Sequence, residues 1–336
     1  MVANAGAVEQ VVGAPRGGGV LRRTLGPIRD ARGLPKVLLW VGGLLFLVFV
    51  IFAIFAPLVA PYGFDQTESG NKQFPKYGHP SGSHWFGTNV TNHDVLSIVI
   101  YGARTALEVV VLAVLFSIII GVVLGLISGY YGGWLDRILV LIMDALFAFP
   151  YLLLAIVVAF LLAGKVGGGV MTAALSITVV YVPQYFRVVR NSVLSAKQES
   201  YVEAARALGA RPRTIMGRYL FGNVIQSVPV IATLNAADAI LTLAGLGFLG
   251  YGIQPGDAAE WGYELSRAVT DAGAGIWWTG LFPGLAIVLL VVGLTLVGEG
   301  LNDILNPVLR RRFGRLVVMP ARPRSQEVAG DLGAGQ

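Results

Sequence analysis

The sequence predicts an all-α polytopic membrane protein with six transmembrane helices and both termini in the cytoplasm. Three observations carry that prediction. Of 336 residues, 55% are hydrophobic and 13% charged, with a mean hydropathy of +0.70; soluble chains carry about 25% charged residues. Six apolar stretches, 37–58, 105–128, 137–163, 170–189, 223–250 and 279–301, approach or exceed the roughly 20 residues that a spanning helix needs. Twenty of the 25 Lys and Arg residues fall in alternate connections, and such connections face the cytoplasm. The chain has no Cys, which excludes a disulfide framework, a thiolate metal site and a Cys nucleophile.

Residues 1–36, rich in Gly, Ala and Arg, are expected to form a flexible cytoplasmic tail ahead of a membrane domain over 37–310. The first span holds no charge from Val37 to Leu58. A long outer segment, 59–104, follows and contains His79, His84 and His93. Their spacing matches no short-range metal motif, so no metal site is expected. On span two, Gly121, Gly125 and Gly129 recur every four residues, a spacing that lets helices approach closely and predicts packing within one bundle. Gly129-Tyr-Tyr-Gly-Gly-Trp-Leu-Asp136 reads as a tight inner turn and Gly164-Lys-Val-Gly-Gly-Gly169 as a tight outer one on either side of span three. The basic segment 190–222 follows span four. An acidic outer segment, 251–278, separates spans five and six, and a flexible basic tail is expected over 311–336.

Within the basic segment, Ser200-Tyr-Val-Glu203 reads as a capping box. Ala204, Ala205, Arg206, Ala207 and Leu208 favour helix, Gly209 stops it, and Pro212 opens a second helix. Tyr201, Ala204, Ala205 and Leu208 stand at i, i+3, i+4 and i+7, a narrow apolar stripe. So short a helix is unstable alone. It packs on the chain's own inner helix ends or the lipid headgroups, or it enters a groove on a soluble partner.

Glu203-Ala-Ala-Arg-Ala-Leu-Gly209 resembles the EAA loop of binding-protein-dependent ABC importers. Trp85-Phe-Gly-Thr-Asn89, Asp94-Val-Leu-Ser97 and Tyr101-Gly-Ala-Arg104 are similar to the segment before span two in the C-type permease of peptide importers. Phe149-Pro150, Phe248-Leu-Gly250, Trp261-Gly262, Gly298-Glu-Gly-Leu-Asn-Asp303 and Asn306-Pro307 follow in family order, so that the resemblance covers roughly 36–310. It implies the type I ABC importer permease fold, placed in the bacterial plasma membrane. It also implies a B-type permease as heterodimer partner, one or two ATPase subunits and an extracytoplasmic solute-binding protein. Tyr201, Glu203, Ala204, Ala205, Arg206, Leu208 and Gly209 would then form the coupling helix that meets an ATPase. ATP and Mg would be bound by the ATPases and no cofactor by this chain. Di- or oligopeptides are the implied cargo, with nickel chelates or glutathione as alternatives. Departures from the family pattern include Tyr219, Gly222, His93, Leu243, Gly247 and Asn302. Those near span five leave the cargo open.

No G-x-x-x-x-G-K-[ST] phosphate loop occurs, because Ala159 stands where Gly164-Lys165 would need the first Gly. The chain is therefore not expected to be an enzyme. Charged side chains inside spans face protein or water. Asp238 and Asp144 are thus candidates for a translocation pathway, with Arg137 or a neighbouring subunit as the expected partner of Asp144. Asp257, Glu260, Glu264 and Asp271 are candidate contacts for the solute-binding protein. The rival class is a proton-driven carrier using Asp144 and Asp238; ATP-dependent transport that survives collapse of the proton gradient separates the two. A membrane enzyme is disfavoured, since no nucleophile–base constellation is readable.

Overall fold

A computed structural model describes residues 33–167 and 169–305; the tails expected at 1–36 and 311–336 lie outside these apart from 33–36, as do Asn306 and Pro307. Helix α1 spans Leu34–Val59. Phe55 leaves helical geometry just before Pro57, which has no N–H to donate and crowds the preceding turn. The outer segment then makes a two-residue hairpin, β1 (Glu68–Ser69) with β2 (Lys72–Gln73), turned at Gly70.

Helix α2 spans Val95–Tyr131, 37 residues, or about 55 Å at 1.5 Å per residue. That exceeds a hydrocarbon layer of about 30 Å. Its first ten residues, expected in the outer segment, are helical because Asp94 caps them: its carboxylate accepts from the Ser97 amide and hydroxyl, both at 2.8 Å. His84 Nδ1 lies 2.9 Å from the other oxygen of Asp94, and both side chains are buried. The outer segment is thereby fastened to the start of α2.

The expected third span is two helices, α3 (Gly133–Ala148) and α4 (Tyr151–Leu162), bent by 102°. Phe149 is extended, as a residue before proline must often be, and Pro150 opens α4. Helix α5 spans Gly169–Ala196 and α6 Ser200–Ala207. After a break at Gly209 the chain stays helical from Pro212 onward through α7 (Pro212–Thr214), a π turn (Ile215–Leu220), α8 (Phe221–Val224) and a 3₁₀ turn (Ile225–Ser227). Then follow α9 (Val228–Phe248), α10 (Trp261–Gly273) and α11 (Trp278–Leu305). Among the described residues five helices are long and apolar enough to span, or six counting α3–α4 as one broken span.

The closest pairing is α2 with α5. A Cβ on Gly121 would stand 2.5 Å from Cβ of Tyr185, one on Gly125 2.8 Å from the Phe186 carbonyl, and one on Gly129 2.8 Å from Val193. The glycine ladder therefore serves packing within the chain. Gly42 does the same for α1, facing the backbone of α11 at Gly293. Helix α10 does not span; it lies across the outer ends. Trp261 Nε1 donates to the Val99 carbonyl at 3.1 Å, Trp278 Nε1 to the Thr88 carbonyl at 3.0 Å, and Tyr77 to Asp271 at 2.9 Å.

Overpacking at this ladder costs about 1–3 kcal/mol. Gly125→Leu is expected to lower the thermal melting midpoint and membrane yield of the purified chain. Gly43→Leu, where an added Cβ meets nothing within 4 Å, is expected to leave both unchanged.

Candidate functional site

The basic segment between α5 and α9 presents a helix with two unlike faces. The chain leaves α5 already wound: the amides of Lys197, Gln198 and Glu199 reach back to Val193, Ser195 and Ala196. Glu199 is the N-cap of α6, its carbonyl accepting from Val202 and Glu203, and no side chain makes a capping bond. The expected capping box does not form, because Ser200 is already inside the helix. The stop at Gly209 forms as expected. The Gly209 amide donates to the Arg206 carbonyl at 2.9 Å and Ala210 to Ala205 at 3.0 Å, the two bonds of a Schellman turn. This turn holds Gly209 at φ +78°, where a side chain is strained.

Val202 and Ala205 are buried, with Val202 in the same core as Ile215 and Leu220. Ala205 therefore faces inward and leaves the expected outward stripe. Tyr201, Ala204 and Leu208 are exposed, Leu208 at 88%, as are Glu203, Arg206 and Gly209. The helix is thus seated on its own chain by one face, and Ala204 and Leu208, with Tyr201 beside them, are exposed on the other.

Its seat is stiff. The Arg206 guanidinium lies 5.6 Å from the ring centre of Tyr130, at the end of α2. Lys197 Nζ donates to the Gly129 carbonyl at 2.9 Å. Next to them Arg190 grips Asp136 with Nε at 2.6 Å and Nη2 at 2.8 Å, and Ser128 also donates to Asp136. A bidentate guanidinium–carboxylate pair fixes orientation as well as distance. The ends of α2, α3 and α5 and the seat of α6 are thereby held together.

The second feature is a cavity of about 380 Å³ where the α3–α4 elbow faces α5 and α9. Phe147, Phe149, Tyr151, Tyr181, Gln184 and Asp238 line it. Asp238 stands at the middle of α9, and no side chain among the described residues pairs with its carboxylate. Asp144 lies outside the lining, and its partner is Arg187 at 2.7 Å in place of the expected Arg137. Arg187 sits 4.1 Å from the ring centre of Phe147. Residues 181, 184 and 187 on α5 were not singled out from the sequence; the signal for the cavity was Pro150 within an otherwise apolar run.

The outer acidic residues divide. Glu260 and Asp271 are buried, which removes them from direct contact with a binding protein. Glu260 caps α10, accepting from Gly262 at 2.8 Å and Tyr263 at 2.7 Å. Asp271 accepts from Tyr77 and Thr279, each at 2.9 Å. Glu264 is held by Asn89 at 3.2 Å, and Asp257 is exposed. Glu260 and Glu264 border an outer cavity of about 140 Å³ with Asp65, His93 and Arg267. Burial pushes the Glu260 carboxyl up to about 7 against its two amide donors, and burial raises Glu264 as well. The three histidines have separate partners: His84 pairs with Asp94, His93 with Thr91, and His79 packs on Trp278.

Residues 121–311 match the binding-protein-dependent transport system inner membrane component family, and residues 37–77 match the N-terminal TM domain of oligopeptide transport permease C. The chain is 38% identical over 286 residues to the dipeptide transport system permease protein DppC of Alkalihalophilus pseudofirmus, covering 84% of this chain and 91% of that one. It is 38% identical over 268 residues to the glutathione transport system permease protein GsiD of Shigella flexneri serotype 5b, covering 79% and 84%. Its fold is similar to a solved chain of the methionine ABC transporter MetNI in inward-facing conformations. That match has a TM-score of 0.51 and 20% identity, covering 62% of this chain and 96% of that one.

The raised Glu260 carboxyl has a consequence for stability. The folded chain holds this proton more tightly than the unfolded one, so its contribution is full below the ordinary 4.5 and is lost as pH rises to about 7. At 1.36 kcal/mol per unit the loss is on the order of 3 kcal/mol. Melting midpoints measured between these limits are expected to fall with pH. Glu260→Gln is expected to flatten the slope to the share left by Glu264.

Proposed function

The chain belongs to the binding-protein-dependent transport system inner membrane components, in the C-type branch of the peptide-importer permeases, and from that membership we propose that it moves di- or oligopeptides inward by ATP-driven alternating access. It is a multi-pass protein of the bacterial inner membrane, and permeases of this family work with ATPase subunits and a solute-binding protein. The remaining assignments are proposals. A B-type permease completes the cavity as the other half of a heterodimer. The ATPases bind ATP and Mg and carry out the hydrolysis, and this chain binds no cofactor. Asp257, with the outer rim around Glu264, meets the binding protein.

The observation that carries the coupling role is the two-faced α6. Its exposed Tyr201, Ala204 and Leu208 offer a narrow apolar knob, and its buried Val202 and Ala205 tie that knob to the core. A short amphipathic helix entering a groove needs such anchors at helical spacing. Glu203, Arg206 and Gly209 border the knob and shape its fit. Through Arg206 on Tyr130 and Lys197 on Gly129, a push on α6 is carried to the ends of α2 and α5. When the ATPases close around nucleotide, these helices turn and the cavity beside Asp238 changes the side to which it opens. Asp144, already neutralised by Arg187, serves the pathway by holding the elbow rather than by meeting cargo. A second reading, glutathione as cargo, is favoured by the likeness to a glutathione permease; glutathione is itself a tripeptide.

Leu208→Asp in the assembled complex tests the coupling role. The position is exposed, so folding is expected to change by no more than about 0.5 kcal/mol. Copurification of the ATPase subunits is expected to fall sharply, and ATP-driven uptake into proteoliposomes with it. Gly209→Val, which forces a branched side chain to φ +78°, is expected to separate ATP hydrolysis from uptake. Full coupled transport in both variants would sink the assignment.

A further inference from the structure

We propose that the cavity at the α3–α4 elbow is a recognition site for an ammonium group of the cargo, with Asp238 as its counter-ion and aromatic rings as its walls. The proposal rests on the pathway reading above and adds the chemical class that the pathway selects. Four observations support it.

The Asp238 carboxylate faces the cavity at the middle of α9 and has no side-chain partner among the described residues. Asp238 is exposed in this chain, so its carboxylate is open to water or to a ligand, as charged groups at membrane depth must be when no protein group meets them. Rings of Phe147, Phe149, Tyr151 and Tyr181 line the same space, and aromatic faces attract cations. Phe147 already does so, with the Arg187 guanidinium 4.1 Å from its centre.

The local charge also fits. Asp144 and Arg187 pair at 2.7 Å, so among the described residues that line this chain's side of the cavity Asp238 is the one charge without an opposite partner, which suits one monovalent cation. A metal ion would need several anionic or imidazole ligands, and this chain's side of the lining supplies one carboxylate. An anionic group would meet repulsion from it.

The walls are held in place. Tyr181 Oη lies 3.2 Å from Thr242 Oγ1, and Thr242 donates to the Asp238 carbonyl at 2.9 Å. The Tyr181 ring is therefore tied to the turn of α9 that carries Asp238, while the Asp238 carboxylate itself is held by no side chain among the described residues and can turn to meet a ligand. Gln184 adds a neutral polar group beside them. At about 380 Å³ the cavity falls in the range of small-molecule pockets, roughly 300–1,000 Å³. It therefore accommodates the charged end of a peptide and the first part of its chain.

The absence of Cys allows a direct test. Leu241→Cys places one thiol in the cavity lining, and Leu146→Cys serves if that variant does not assemble. The whole transport complex, in nanodiscs, is treated with methanethiosulfonates bearing an ammonium, a neutral methyl or a sulfonate group. Modification is read from the mass of this chain. Relative to their rates with a small free thiol, the ammonium reagent is expected to react at least about tenfold faster than the sulfonate one, since a unit charge a few ångströms away at intermediate dielectric exceeds that factor. Asp238→Asn is expected to bring the ratio close to one, and Asp238→Glu to restore it. A ratio unmoved by Asp238→Asn would overturn the ammonium site and leave the pathway reading standing. Failure of even the neutral reagent to reach the thiol would overturn both.

Discussion

The contact on which the rest of this molecule depends is the approach of α2 to α5 along Gly121, Gly125 and Gly129. Between membrane helices there is little hydrophobic driving force, so association relies on van der Waals contact and interhelical hydrogen bonds. The ladder brings the backbone of α2 against Tyr185, Phe186, Val189 and Val193. Ser117 and Thr178 face each other across it: each donates to the i−4 carbonyl of its own helix at 2.7 Å and lies 3.3 and 3.4 Å from a carbonyl of the other. Once this pair is rigid, both ends of the molecule are placed. Its inner end carries Gly129 and Tyr130, and Arg190 there grips Asp136 of α3; together they seat the basic segment. Its outer end carries the Asp94 cap, which fastens the outer segment through His84.

Polar groups follow the same logic. Among the described residues, irregular backbone occurs at the outer segments 60–94 and 249–260, the turns at 163–167 and 274–277, the inner turn, the elbow and the basic segment. In hydrocarbon such backbone is tolerated only where protein or water satisfies it. The elbow is the informative case, since Phe149 and Pro150 interrupt a run that is otherwise apolar. The break has a cavity beside it, and the charged groups around it, Asp144, Arg187 and Asp238, are otherwise out of place in a span. The break, the cavity and the charges are one feature.

Much of this was legible in the sequence because hydropathy, helix stops and close-packing glycines are local signals. The spans, the stop at Gly209 and the Pro212 restart could be read residue by residue. What could not be read depends on tertiary context. Ser200 looks like a cap until the chain is seen to leave α5 still wound. Glu260 and Asp271 look solvated in a polar outer segment, yet each is enclosed by groups brought from elsewhere: Gly247 leaves room for the Glu260 carboxylate, and Tyr77 reaches Asp271 across 194 positions. Asp144 found Arg187 rather than Arg137 because the 102° bend turns α3 toward α5. Val95–Arg104 is helical through one cap that a hydropathy count does not register.

The division of α6 into two faces explains why its composition is so plain. A helix that anchors to its own chain and, in the coupling role proposed above, also fits a second protein cannot carry large side chains all round. Alanine at 204 and 205 keeps it thin, so that the inward face packs through Val202 and the outward face stays shallow between Tyr201 and Leu208. The same economy sets its length: eight residues hold the two buried anchors and most of the exposed stripe, and Leu208 and the glycine stop follow at once, with no free turn left to bend. On the proposed coupling role, a force applied at Leu208 has a short path to Tyr130 through Arg206 and, by way of the turn before α6, to Gly129 through Lys197. It passes through a cation–π contact and a charge-assisted hydrogen bond rather than through loose loop. Longer or softer connections would absorb such a displacement before it reached the α2–α5 pair, and the Asp136–Arg190 grip ties α3 to that pair.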